Sequence, residues 1–457
     1  MRPSGHIVVL GTAGSGKTTI AALRARILAD PETEDSGPTL LITYNQSLVR
    51  YLDAIASEEL EHVNREHIHK FARGYLNSRG LMRPIVKGTP RLNVITRAIR
   101  AMKIAVGADR AGITGIVLRD LLSHEFEVIF RAGLSRDEYV NAGPEVRSSI
   151  LADLLGGDLI YDTLEQYVSL RNAEEPTYDF DDLLLAAYEA MVDDAEPRRY
   201  KHIVIDEGQD FPPVALKMLI EAVPPGGSVT FFGDVAQQIY GRETNWRSAG
   251  FLVREPVVFE ENLRNTPQVA RLGVAVSEMA YYEGVRDVIV PTMPMDAGPL
   301  PTLVRYLSAT KEIRGVVAQA REAVRTQPVA IICPKESLLE KIVAELRRVE
   351  EERVRLITKD LRWARKPQIY VATYHNAKGL EFDSVILPFM SSDHMPVQYT
   401  CELYGRENAM TAAGSWLYVG ITRARRNLII TYNGKLSALL PDDRGREVPL
   451  YTRRDVA

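Results

Sequence analysis

The chain has 457 residues, 46% of them hydrophobic and 25% charged, and a formal net charge of -4. Those fractions belong to a folded globular protein of roughly two to four domains and exclude a disordered or fibrous chain. A globally basic coat is excluded too, although a local positive groove lined with stacking groups needs no net positive charge. No run approaches the ~18 apolar residues of a membrane span, and no secretory signal pattern is present. The two cysteines, Cys333 and Cys401, lack metal-ligand spacing. The expectation is a reducing, cytoplasmic setting, with both cysteines as packing residues and no membrane partner.

The first element is HIVVLGTAGSGKTTI, beginning at His6. An apolar, β-branched run leads into G-x-x-x-x-G-K-[ST] from Gly11 to Thr18, which reads as a strand, a phosphate-cradling loop and a helix start. Gly11, Gly14, Gly16, Lys17 and Thr18 form the cradle, followed by Thr19. Further β-rich runs are TLLITY, HIVID, SVTFFGD, PVVFE, VAIIC, QIYVAT, SVILPF and NLIITY, with helical stretches between them. Strands alternating with helices predict parallel sheets whose binding groups gather at the strands' carboxyl ends. Nine strands exceed one compact sheet, so two similar α/β lobes are expected.

Between about Arg73 and Pro176 the strand signal fades into a helical pattern. Residues 1–72 and 177–250 are therefore assigned to the first lobe, 73–176 to a helical insertion and 251–457 to the second lobe. The insertion opens with Arg79, Arg83, Lys87, Arg91, Arg97, Arg100 and Lys103. A solvated helix face and a nucleic-acid contact are both open readings. Pro224, Pro225, Gly226 and Gly227 mark a loop within the first lobe.

Five companion segments follow the phosphate loop. In IVIDEGQD a hydrophobic strand ends in Asp206, suited to a water-mediated hold on Mg²⁺, and Glu207, suited to positioning an attacking water. Acids capping the next helix are the plain alternative. FFGDVAQQIYG offers Asp234 and Gln237 at a strand tip, then Tyr240 and, further on, Trp246. Core packing is the plain reading of those two aromatics, as an ordinary hydrogen-bonded histidine is for His69 and His375. ENLRNTPQVA supplies Arg264, VATYHNAKGLEFDSVIL supplies His375, Lys378, Gly379 and Glu381, and WLYVGITRARRNLII supplies Arg423. Two arginines from a second lobe would neutralise a transferring phosphoryl group and make hydrolysis depend on lobe closure.

The order and wording of these six segments resemble superfamily 1 helicases of the UvrD/Rep/PcrA type, from Val8 to about Tyr432. The resemblance implies two RecA-like lobes, ATP between them and single-stranded DNA across the top. By position, Lys17 and Thr18 would hold the β/γ-phosphates and Mg²⁺, Asp206 the metal and Glu207 the water. Gln237, Arg264, Gly379 and Arg423 would sense the γ-phosphate, and Glu381 would touch the ribose. DNA contacts would fall at Tyr44, Asn45, His69, Tyr240, Trp246 and His375, where stacking gives a grip independent of sequence.

Five departures stand out. Residues 1–10 hold no glutamine to read the adenine edge, and the family's base-sandwiching arginine and tyrosine are here Thr19 and Leu263. Only about 110 residues lie between Arg264 and Thr373, too few for the family's large accessory domain. A three-residue insertion, Glu243 to Asn245, precedes the WRSAG segment. The expectation is a Mg²⁺-dependent NTPase stimulated by single-stranded DNA, accepting ATP and other nucleoside or deoxynucleoside triphosphates and moving 3′ to 5′. The alternative is a nucleotide-gated sensor of DNA ends, or a recruitment subunit for a partner nuclease or repair protein, in bacterial defence or repair. An RNA-acting enzyme is a third reading.

Overall fold

The computed structural model describes residues 5–44, 49, 58–104, 114–143, 149–194, 200–234, 246–282, 292–293, 296–358, 361, 363–364 and 366–456. Asn45, Gln237, Tyr240 and the insertion Glu243 to Asn245 lie outside these residues.

Two sheets organise the chain. The first contains β1 (Gly5–Gly11), β2 (Thr39–Thr43), β3 (Val63–His67), β4 (His202–Asp206), β5 (Ser228–Gly233) and β6 (Val257–Phe259), in the order β3-β2-β4-β5-β1-β6. The second contains β7 (Thr302–Tyr306), β8 (Val329–Cys333), β9 (Val354–Leu356), β10 (Ile369–Thr373), β11 (Phe382–Leu387), β12 (Ala424–Asn433) and β13 (Thr452–Val456), in the order β13-β7-β12-β11-β8-β10-β9. Every named strand pair is parallel. The protein is thus α/β, with two RecA-like lobes. Interior strands such as TLLIT, HIVID, SVTFFG and VAIIC are buried at every position, because helices cover both faces of a parallel sheet and leave no polar alternation.

Four strands escaped the sequence reading: β3, β7, β9 and β13. Three of them are sheet edges. VNREH and TRRDV carry the charges that blunt an edge against further pairing, and those charges erase the apolar signal. The junction expected near Gly250 also falls inside the first sheet, since Val257, Val258 and Phe259 pair with Val9, Leu10 and Gly11.

The insertion has its own core, including Ile95, Leu118, Leu122, Phe126, Ile160 and Tyr167. It is built by helices Gly88–Ala101, Gly115–Ala132, Arg136–Val140 and Ser149–Arg171. The flanking helices Ile68–Ser78 and Asp182–Val192 instead contribute Phe71, Leu76, Leu183 and Leu184 to the first lobe's core. Several of the insertion's basic residues serve this junction. Arg91 pairs with Asp179 at 3.2 Å, Arg79 with Asp194 at 2.8 Å, and Arg83 lies 5.1 Å over the Tyr178 ring. Helix Gly115–Ala132 reaches both lobes. Near its end Arg131 lies 5.9 Å over the ring of Tyr44, and three turns earlier Asp120 accepts a hydrogen bond from Tyr399 of the second lobe.

Candidate nucleotide cleft and nucleic-acid face

β1 runs directly into the glycine loop, and helix α1 (Lys17–Ala29) follows. No side chain caps α1 and its first turn holds no acid, so the first-turn N–H groups and the positive end of the helix dipole are left for an anion. Gly14 and Gly16 adopt φ of 79° and 80°, a left-handed conformation that glycine reaches without a side-chain clash. Gly14 is also hemmed in, since a Cβ there would sit 2.5 Å from Asn262 Oδ1. The Lys17 ammonium donates to Gly11 O at 2.9 Å and Thr12 O at 2.6 Å, with Asp234 Oδ2 3.9 Å away. Burial lowers its pKa, and the charges of Asp234 and Glu207 oppose that.

In the sheet order β4-β5-β1, the carboxyl ends deliver Asp206, Asp234 and the loop to one place. Burial, then the charge of Glu207, pushes the Asp206 carboxyl up to about 7, while a hydrogen bond from Thr18 works the other way. Asp206 Oδ2 is buried and has no hydrogen-bond partner among the described residues. An orphaned carboxylate oxygen beside a threonine hydroxyl suits Mg²⁺, a hard ion that takes one or two protein oxygens and fills its shell from water and phosphate. The described residues contain no cluster of three or more acids, histidines or cysteines that would hold a metal unaided. The donor set therefore fits a metal shared with a triphosphate.

Glu207 follows with φ 53° and ψ 42°, a conformation that a side-chain-bearing residue holds only under constraint from its surroundings. Burial opposes its ionisation, but Lys378, Arg423 and Lys17 hold its carboxyl below the ordinary value. Gln209 Nε2 donates to Glu207 Oε2 at 2.6 Å, and Gln209 Oε1 accepts from the Asp234 N–H at 3.0 Å. An ionised carboxylate is thereby fixed in direction.

The facing wall comes from later in the chain. Arg264 pairs with Glu381. Arg423, which ends helix Arg406–Thr422, is buried and donates from Nε to Val419 O at 3.1 Å and from Nη1 to Leu380 O at 3.3 Å. Burial and then Arg264 lower its pKa to about 10, which still leaves a cation at neutral pH. Gly379, at φ 79°, turns the chain between Lys378 and Glu381. Residues 262–266 form a strap between the lobes: Leu263 N donates to Gly14 O at 2.9 Å, Asn265 Nδ2 to Ala424 O at 2.6 Å, and Thr266 N to Arg425 O at 3.0 Å. Sequence reasoning missed the strap asparagines and the pairing of Lys378 with Asp210. The last acid in IVIDEGQD, Asp210, was the available signal for the latter. Thr19 and Leu263, the departures at the base position, are exposed, Leu263 by 72%.

On the candidate nucleic-acid face, Tyr44 directly follows β2, and its ring lies 5.7 Å from His69 and 5.9 Å from Phe211. His69 also meets Phe180 at 5.7 Å, and Phe180 is 41% exposed. Phe180 was passed over because it sits in an acidic run, TYDFDDL, at the insertion boundary. His375 is on the second lobe, 5.2 Å from Trp416. Burial, then the neighbouring charge of His67 for His69 and of Lys378 for His375, lowers both histidines to about 4, so both are neutral at pH 7. Trp246 departs from expectation. It is 4% exposed in the first lobe's core, and packing there leaves its face little room for a base.

Residues 1–252 match the UvrD/REP helicase N-terminal domain. The chain belongs to the UvrD/REP helicase family. Residues 305–435 match the UvrD-like helicase C-terminal domain. Among relatives of this UvrD/REP-family chain are proteins of Mycobacterium tuberculosis and Mycobacterium bovis named ATP-dependent DNA helicase UvrD2. Each is 24% identical over 587 aligned positions that cover all of this chain and 82% of the relative. The alignment is longer than the 457-residue chain, so the relatives carry residues where this protein has none. A solved C-terminal domain of a possible DNA helicase from Lactobacillus plantarum is 27% identical, covering 42% of this chain and 97% of that domain with a TM-score of 0.30. Among the described residues no helix is long and apolar enough to cross a membrane.

Proposed function

We propose that this ATP-dependent DNA helicase works as a Mg²⁺-dependent nucleoside triphosphatase stimulated by single-stranded DNA, coupling cleft closure to translocation in the 3′ to 5′ direction. The observation that carries the reading is the convergence of an orphaned Asp206 oxygen and an ionised Glu207 from one lobe with Arg264 and Arg423 from the segments facing them.

The α1 N-terminus, the loop amides and Lys17 bind the β- and γ-phosphates, while Thr18 and Asp206 hold the metal. When bound, the metal neutralises charge on the phosphate oxygens. Glu207 orients a water and accepts its proton as the water attacks. Arg423 is held by backbone carbonyls, so its charge is already positioned when phosphoryl charge develops. Arg264 must leave Glu381 to reach a phosphate, which frees Glu381 for the ribose. Neutral His69 and His375, with Tyr44 and Phe180, offer ring faces to bases, which suits a motor indifferent to sequence. Glu207→Gln is expected to lower DNA-stimulated turnover by about 100-fold or more while nucleotide binding persists, as read by steady-state hydrolysis and fluorescent-nucleotide titration. Full turnover in that variant, or no stimulation of the wild type by single-stranded DNA, contradicts the reading.

A second reading is a nucleotide-gated DNA-end sensor or recruitment subunit that serves a partner nuclease or repair protein. The compactness of the second lobe favours it, since β9 ends at Leu356 and β10 begins at Ile369, leaving no accessory domain between them to engage a duplex. Strand displacement separates the two. Efficient unwinding by the isolated chain supports the motor, and hydrolysis without unwinding supports the sensor.

A further inference from the structure

Lys378 and Asp210 are assigned no contact with phosphate or metal in the reading above, yet they join the two lobes. Lys378 Nζ lies 2.5 Å from Asp210 Oδ1, and the two side chains are only 4% and 5% exposed. Asp210 closes the single turn Gly208–Asp210 that begins directly after Glu207. Lys378 follows the short helix Tyr374–Ala377, three residues after His375 and immediately before Gly379. One short loop of the second lobe therefore carries a nucleic-acid candidate at its start and nucleotide candidates at its end. Its midpoint is fixed to the acid-bearing turn of the first lobe.

A buried ion pair demands its own geometry, because neither charge has water to fall back on and each is costly when the other moves. A shift of His375 therefore cannot pass Lys378 without either moving the Glu207 turn or breaking the pair. We propose that the Lys378–Asp210 pair is the positioning contact through which single-stranded DNA on the second lobe sets the Glu207 turn and so stimulates hydrolysis. This rests on the hydrolysis reading above and adds the route by which DNA acts on it.

The test compares the ratio of kcat with and without single-stranded oligonucleotide in wild type, Lys378→Gln/Asp210→Asn, Asp210→Asn and Lys378→Arg. Thermal melting certifies the fold, and fluorescence anisotropy reports DNA binding. The double variant removes both charges, so no lone buried ion remains to unfold the chain, and the singles decide the matter if it still fails to fold. The expected result is a fall in the ratio of at least about fivefold for the neutral variants, with DNA affinity kept and most of the stimulation retained by Lys378→Arg. An unchanged ratio in folded neutral variants overturns the inference alone. A wild type that DNA does not stimulate overturns the hydrolysis reading and this inference with it.

Discussion

The residues around the cleft divide between those proposed to grip phosphate and those that would read a base. Three of the residues proposed for the phosphate side lie among one cluster of charges: Lys17 lies near Asp234, Thr18 bonds Asp206, and Arg423 feels the charge of Glu207. On the base side, exposed Thr19 and Leu263 offer a short hydroxyl and an apolar surface, neither of which distinguishes one base edge from another. Discrimination against a wrong base requires buried polar groups that would be left unpaired by it. GTP and deoxynucleoside triphosphates are thus expected to support turnover within about tenfold of ATP, a gap of ~1.4 kcal/mol. Steady-state kinetics with a panel of triphosphates checks this, and a strict ATP requirement would mean that another residue reads the base.

Elements were legible in proportion to the apolar composition of their runs, so that the exposed edge strand β6 was read and the interior strand β7, interrupted by Arg305, was missed. The other interior strands announced themselves as unbroken apolar runs, whereas β3, β9 and β13 lie at sheet edges where charge replaces apolarity. The phosphate loop and the acidic strand end were readable because their chemistry requires contiguous residues in fixed order. Trp246 was not readable, since an aromatic residue near a strand tip has the same sequence appearance whether it packs inward or lines a groove. The 262–266 strap was equally hidden. Asn265 acts through backbone carbonyls of Thr422 and Ala424, more than 150 positions away, while Asn262 braces it locally, and no local pattern encodes such distant partners. Gly14 belongs to this element too, because a Cβ there would lie 2.8 Å from Arg264 Cβ as well as against Asn262. Gly14→Ala should displace the strap along with the loop. The expectation is a stability loss of about 1–3 kcal/mol together with weakened nucleotide binding, measured by thermal melting with and without nucleotide. A variant that melts and binds like the wild type would show that the strap yields freely.

At the scale of the whole molecule, three connections among the described residues join the lobes. They are the strap beneath the cleft chemistry, the Lys378–Asp210 pair beside Glu207, and the insertion helix that meets Tyr44 in one lobe and Tyr399 in the other. Each lobe alone holds half of a site. On the proposed reading the first supplies the loop, the acids and a metal position, and the second brings a buried cation whose pKa is lowered to about 10 by burial. The account stands on hydrolysis requiring both halves. The most direct test is turnover of Arg423→Ala with Mg²⁺, saturating triphosphate and single-stranded DNA, alongside equilibrium binding of the same nucleotide. The account predicts a loss in kcat of about 1,000-fold or more with nucleotide affinity changed only modestly. Turnover near the wild-type rate in a folded variant would contradict it.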